Sequence, residues 1–322
     1  VNKKIIYNLD SLHNFSDYGI SVPLLNNRVI NTVNALKEKY HLEELDFAPV
    51  SNEDLLLVHT SGYIERVENE PDNVVKDGYE LVNSDGSFNR FNPSEQRLPL
   101  NDFINKAKLH VAGTYLATLE ALDSGFAYHI GGGMHHAMSS KPSGFCLFND
   151  IAFSARKIIK GGKAKKVLVI DLDCHKGDGT AQITQNDESI YTFSIHMKNG
   201  WPLVGDKFDE EGKLNQSFIP SSCDVAISST DNYLEKLNSA LNITLEQNFD
   251  LAIVIHGVDV HMSDGLPSSE GIKLTTEELL ERDLIVYNRL VASKTPQAWC
   301  LGGGYGEEVH KLYIQFLEEI LE

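Results

Sequence analysis

Short runs rich in β-branched and aromatic residues alternate along this chain with longer stretches of helical spacing, and this alternation most constrains its fold. The β-rich runs fall at residues 4–9, 127–130, 166–172, 190–195, 251–255 and 298–301. Between them, apolar residues recur at intervals of three and four: Leu25, Val29, Val33, Leu36 and Tyr40; Leu234, Leu237, Leu241 and Leu245; Leu280, Leu284, Tyr287 and Val291. Thr275 and Glu278 have the spacing of a capping box for the third helix, and Val309, Leu312, Phe316 and Ile320 mark a closing one. Parallel neighbours need crossover connections, so strands separated by helices predict a single three-layer α/β/α domain around a mostly parallel sheet. No repeat or Gly/Ser/Pro-rich linker divides it. Two stretches, 69–98 and 197–229, lack strong periodicity and are expected to form walls or lids of a site, or to be mobile.

Charge and composition bound the function. The chain has 322 residues, with 46 Asp and Glu against 28 Lys and Arg, a formal net charge of −18. Such a surface repels phosphate backbones and draws in cations, although acidity also simply keeps proteins in solution. No apolar run approaches the roughly 18 residues that span a bilayer, and the N-terminus lacks a signal-peptide pattern. The expectation is a cytoplasmic enzyme with no membrane and no direct nucleic-acid partner. The cysteines, Cys146, Cys174, Cys223 and Cys300, form no CxxC pair and are expected to be reduced and mostly buried.

The unusual polar residues cluster just after four of the predicted strands, where parallel sheets bind ligands. Run 127–130 leads into Gly131-Gly132-Gly133-Met134-His135-His136, and run 166–172 into Asp173-Cys174-His175-Lys176-Gly177-Asp178. Run 251–255 leads to His256-Gly257-Val258-Asp259 and on to Asp264, and run 298–301 to Gly302-Gly303-Gly304-Tyr305. In extended chain Asp171, Asp173 and His175 share one face, and two carboxylates so close call for a cation. An Asp/His set suits zinc or another divalent transition metal, with Asp264 the candidate third ligand and an open fourth position. His135 and His136 are suited to act as general base and electrostatic partner on a metal-activated water, backed by Asp171 and Asp178. Tyr305, on a glycine turn, can hydrogen-bond an oxyanion.

The blocks GGGMHHAMSSKPSGFCLFND, VLVIDLDCHKGDGTAQI, TFSIHMKNGWP, HGVDVHMSDG and LGGGYGEEV resemble, in order, the signature blocks of zinc-dependent histone deacetylases and their bacterial relatives. The likeness runs from about residue 100 to the C-terminus, with a weaker echo in VHTSGYI. It implies the arginase/deacetylase fold, with about eight strands and residues 1–322 as one deacetylase-like catalytic domain. Carried over, Asp173, His175 and Asp264 would hold one catalytic zinc ion. His136 would be the base and then the acid, and His135 its electrostatic partner. Asp171 would back His135, Asp178 would back His136, and Tyr305 would polarise the acyl carbonyl. Gly144, Phe145, Trp201 and Gly303 would line the acyl-lysine channel. A structural potassium ion would sit on oxygens of Asp171, Asp173, His175, Ser194 and Ile195. The segment NPSEQRLPLNDFINKAKLHVAGTYLATLEAL is most similar to the class IV branch and small bacterial homologues. Asp178 stands where that branch often has Asn, so His136 is expected to be more basic here. Gly265 replaces the proline that many members carry after the metal aspartate.

The resulting expectation is zinc-dependent hydrolysis of an Nε-acyl-lysine amide in proteins or peptides, with an acetylated polyamine as the nearest alternative substrate and a longer acyl group also open. A two-metal ureohydrolase on the same fold would leave the His pair and Tyr305 without a role. A catalytically silent acyl-lysine reader would not require every predicted ligand, histidine and tyrosine. Oligomeric state is not readable from the sequence.

Overall fold

The computed structural model describes residues 3–23, 27–42 and 44–322. Seven strands are found among them: β1 (Lys4–Ile6), β2 (Phe126–His129), β3 (Val167–Asp171), β4 (Ile190–Met197), β5 (Cys223–Ile227), β6 (Leu251–His256) and β7 (Gln297–Leu301). They form one all-parallel sheet in the order β1-β2-β7-β6-β3-β4-β5. The sheet has one strand fewer than expected. β5 falls within 197–229; it is a half-exposed edge strand carrying Asp224, which weakens its apolar signal.

The helices are α1 (Asn27–Lys39), α2 (Asn52–Leu55), α3 (Ser61–Asn69), α4 (Pro71–Gly78), α5 (Asp102–Ser124), α6 (Asp150–Lys160), α7 (Asp178–Thr184), α8 (Tyr233–Thr244), α9 (Thr276–Ala292) and α10 (His310–Leu321). Alternate strand residues feed two cores, as the pleat requires. Leu168, Ile170, Phe193, Val254 and Trp299 pack with residues of α1, α8, α9 and α10. Val167, Val169, Ile253 and Ala298 pack with alanines of α5 and with Ile151 and Ile158 of α6. A third cluster joins α3, α4 and Phe103 to Leu147 and Phe148 beside the sheet's end.

Most expected helices are present, and Thr275 with Glu278 forms the full capping box of α9. Leu25 lies outside the described residues. α9 differs from its reading: its buried face is Leu279, Arg282, Asp283, Val286 and Leu290, while Val291 is exposed. An apolar-periodicity reading passes over a face that buries an ion pair. Arg282 Nε donates to Asp283 Oδ1 at 2.8 Å, and Asp283 Oδ2 meets His256 Nε2 at 2.9 Å. Arg282 Nη1 donates to the carbonyls of Leu172 and Gly257 at 3.0 and 2.8 Å. One buried guanidinium thereby ties together the chain just beyond β3 and β6, one residue before Asp173 and two before Asp259. α4 occupies part of 69–98, contrary to the expectation of an aperiodic stretch. Cys146, Cys174 and Cys300 are buried free thiols and Cys223 is a half-buried one, as expected. No helix among the described residues is long and apolar enough to cross a membrane.

Candidate active site

The four polar clusters follow β2, β7, β6 and β3, four consecutive strands of the sheet, so their carboxyl ends deliver all of them to one place. Gly133 makes the approach of the first two possible: its φ is +80°, and a Cβ there would fall 1.9 Å from the carbonyl oxygen of Leu301. Asp150, in the first turn of α6, accepts hydrogen bonds from the Gly133 and Met134 amides at 2.9 and 2.7 Å. The chain then turns His135 and His136 inward, and both are buried.

β3 ends at Asp171, and the backbone bends through Asp173, Cys174 and His175. The extended-chain premise for these residues therefore holds only as far as Asp171. They converge all the same. Asp173 and His175 share a cluster with Asp259 in which one ligand atom of each lies within 4.8 Å of the others. His175 Nδ1 is 3.1 Å from Asp173 Oδ1 and 3.1 Å from Asp259 Oδ2. Burial, followed by the charge of Asp173, pushes the Asp259 carboxyl up. Buried carboxylates crowded in this way fit a divalent cation. Gly303 leaves room for them, since a Cβ there would fall 2.5 Å from Asp259 Oδ2 and 2.7 Å from Asp173 Oδ2. Asp264 is not in this cluster. Its Oδ1 accepts from Leu266 N at 3.0 Å and Ser269 Oγ at 2.6 Å, and its Oδ2 accepts from Tyr305 N at 2.9 Å. On the other side of Asp171, its strand partner Ser194 has a buried hydroxyl with no hydrogen-bond partner. Ile195 beside it is buried in the core.

His135 Nδ1 meets Asp171 Oδ2 at 2.7 Å and His136 Nδ1 meets Asp178 Oδ1 at 2.7 Å, so each histidine has its own carboxylate. The two rings lie 3.9 Å apart yet titrate oppositely. Burial disfavours the His135 cation, but the charges of Asp171 and Asp173 outweigh it and raise its pKa to about 9. Burial and the neighbouring His135 charge instead hold His136 down to about 4, against the pull of Asp178. At neutral pH the pair is one cation and one free base.

Tyr305 borders two cavities that meet at His136, Gly144 and Phe145. Burial, reinforced by the charges of Asp173 and Asp259, pushes its hydroxyl well up, so it stays a donor. Gly144, Phe145 and Trp201 line the outer cavity, and Gly303 lines the inner one. Gly144 has φ +55°, and a Cβ there would lie 2.4 Å from the Trp201 ring and 2.7 Å from His136. Trp201 packs at 4.4 Å from the His136 ring and 5.6 Å from that of His175.

Several residues at the site had no sequence signal. Ser217 donates to Asp178 Oδ2 at 2.7 Å, and Ser268 Oγ lies 3.1 Å from His175 Nε2. Glu80 and Arg90 line the outer cavity. Arg28 Nη1 donates to the Gly302 carbonyl at 2.8 Å. Ser217, Glu80 and Arg90 lie in the two stretches without strong periodicity. Asp259 stands in HGVDVHMSDG with Asp264, the carboxylate expected there as the metal ligand.

The histone deacetylase domain model matches residues 23–320. An uncharacterized protein of Picosynechococcus is 36% identical over 203 residues, 63% of this chain and 63% of that one. Histone deacetylase 2 of Arabidopsis thaliana is 26% identical over 292 residues, 88% of this chain and 68% of that protein. The chain thus matches less than two thirds of the cyanobacterial relative's length. A crystal structure of an HDAC homolog from Aquifex aeolicus shares the fold, with a TM-score of 0.71 at 24% identity, covering 99% of this chain and 83% of that one.

Proposed function

The chain belongs to the histone deacetylase family, a family of deacetylating hydrolases, and on that premise we propose that it hydrolyses the amide of an Nε-acyl-lysine with the help of one zinc ion. The observation that carries this reading is the split pair His135 and His136, each on its own carboxylate, beside the Asp173–His175 cluster and Tyr305. Asp173 and His175 would hold the zinc ion with Asp264 as third ligand. Asp264 is the more accessible candidate carboxylate, on the loop that carries the channel-lining Leu266 and Ser268, whereas Asp259 is fully buried and caps the Cys174 amide at 2.9 Å. When bound, zinc supplies a Lewis acid for the acyl carbonyl and makes water a better nucleophile at neutral pH.

The chain's own residues carry the protons. His136, neutral above about pH 4, takes one from the attacking water at Nε2 while Asp178 fixes its Nδ1. Cationic His135 stabilises the negative charge that develops, and the Tyr305 hydroxyl donates to the oxyanion. His136 then returns its proton to the leaving nitrogen as the C–N bond breaks. The products are a carboxylate and the lysine ammonium, with no change in oxidation state. Gly144, Phe145 and Trp201 would sheath the lysyl methylenes, and Gly303 would keep the floor of the site open. A potassium ion on oxygens of Asp171, Asp173, His175, Ser194 and Ile195 would give the orphaned Ser194 hydroxyl a partner.

Incubation of the zinc-loaded protein with acetyl-lysine peptides should release acetate in step with new lysine amines, and a chelator should stop both. Peptides left intact while acetylated polyamines are cleaved would move the substrate to that second class.

A further inference from the structure

The outer cavity is also lined by an ion pair that the hydrolysis mechanism does not use. Arg90 Nη1 donates to Glu80 Oε2 at 2.6 Å, and both side chains remain partly exposed, at 31% and 47%. The contact is single-pronged. Among the described residues, Glu80 Oε1 and the Nε/Nη2 edge of Arg90 have no other hydrogen-bond partner. Backbone strain marks the same place. Among the described residues four non-glycine ones have a left-handed backbone, and three of them, Glu80 (φ +54°), Arg90 (φ +54°) and Phe145 (φ +65°), line this cavity. Such strain persists where the surrounding structure over-determines it, commonly at ligand clamps. Here the Gly78 carbonyl accepts from Phe145 N at 2.9 Å, the Arg90 carbonyl accepts from Ser21 N at 2.8 Å, and the Glu80 carbonyl accepts from Asn89 Nδ2 at 2.9 Å. The Arg90 guanidinium lies over the Phe145 ring, 5.4 Å from its centre. His136, Gly144 and Trp201 line the same cavity, so the ion pair shares one space with the wall that would sheath a lysyl side chain.

We propose that Glu80 and Arg90 bind the α-ammonium and α-carboxylate of a free Nε-acyl amino acid, so that the preferred substrate of this site is the zwitterion rather than an acylated residue within a chain. The inference rests on the acyl-amide hydrolase reading above. The open edge of Arg90 matches a carboxylate in a two-pronged contact, and Glu80 Oε1 accepts from an ammonium. Each charge then has two opposite neighbours and no like one. A peptide offers the same pair only a neutral N–H and C=O, and charge-assisted hydrogen bonds are roughly twice as strong as neutral ones. An acetylated polyamine brings an ammonium for Glu80 but nothing for Arg90, whose charge it meets unfavourably.

The test compares kcat/KM for free Nε-acetyl-L-lysine, the same molecule capped at both α groups, an acetyl-lysine peptide and N-acetylcadaverine, which lacks only the carboxylate. The free amino acid should exceed each of the others by about tenfold or more, the scale of one charge-assisted contact. Arg90→Met should lower the ratio of free to capped substrate by about tenfold, acting on KM, and should raise the ratio of N-acetylcadaverine to capped substrate, because it removes a like charge beside the ammonium. Glu80→Gln should lower both ratios. Capped or peptide substrates that match the free amino acid, with ratios indifferent to Arg90→Met, would overturn this inference alone. Silence toward all four substrates would overturn the hydrolase reading and this inference with it.

Discussion

Replacing Tyr305 by Phe is expected to lower kcat by about 10²–10³-fold, equivalent to about 2.7–4 kcal/mol of lost transition-state stabilisation. KM and zinc content should change little. The substitution removes one oxygen and keeps the ring, so the cavity walls stay filled. Its backbone anchors also survive, because Tyr305 N donates to Asp264 Oδ2 and the Tyr305 carbonyl accepts from Gly265 N at 3.0 Å. What disappears is a donor that burial and the carboxylates of Asp173 and Asp259 keep protonated. The amide oxygen becomes more negative only as water adds, so the missing bond counts in the transition state and hardly in the bound substrate. Kinetics with zinc analysis of the same preparation checks this, and a Phe variant of full turnover would remove Tyr305 from the chemistry.

His136→Ala is expected to cost about 10²–10⁴-fold in kcat, the usual worth of a positioned acid–base group. The loss should persist from pH 6 to 8, because His136 is held near pKa 4 and is a free base throughout that window. His135 does not replace it. Its pKa of about 9 keeps it cationic over the same range, with Nδ1 already engaged by Asp171. A variant whose rate recovers steeply across this window would show that another group in the site can serve as base. The electrostatic division of labour between the two histidines would then be wrong.

The layered architecture was legible because both periodicities were strong where the core is deepest. Val167 to Asp171 is buried along its whole length, and Val167 to Ile170 reads as an unbroken apolar run. β5 was not legible, because a half-exposed edge strand with Asp224 in it lacks that signature. The buried face of α9 was misread for a related reason: Arg282 and Asp283 are inside because they satisfy each other, His256 and two strand-end carbonyls, which spacing alone cannot express. At the site, the motif residues that follow strands came together as the sheet order requires. Contacts made by long connections did not announce themselves. Ser217 reaches Asp178 from 39 residues away, and Glu80 with Arg90 lines the outer cavity from a segment without strong apolar period. The choice between Asp259 and Asp264 was equally beyond spacing, since it turns on which carboxylate faces the open site.

Titrating zinc into chelator-stripped protein while following acetyl-lysine hydrolysis tests the central claim most directly. The account predicts no activity at zero metal and a linear rise that ends at one equivalent of zinc per chain. Activity that survives stripping, or that appears only at two equivalents, would contradict it.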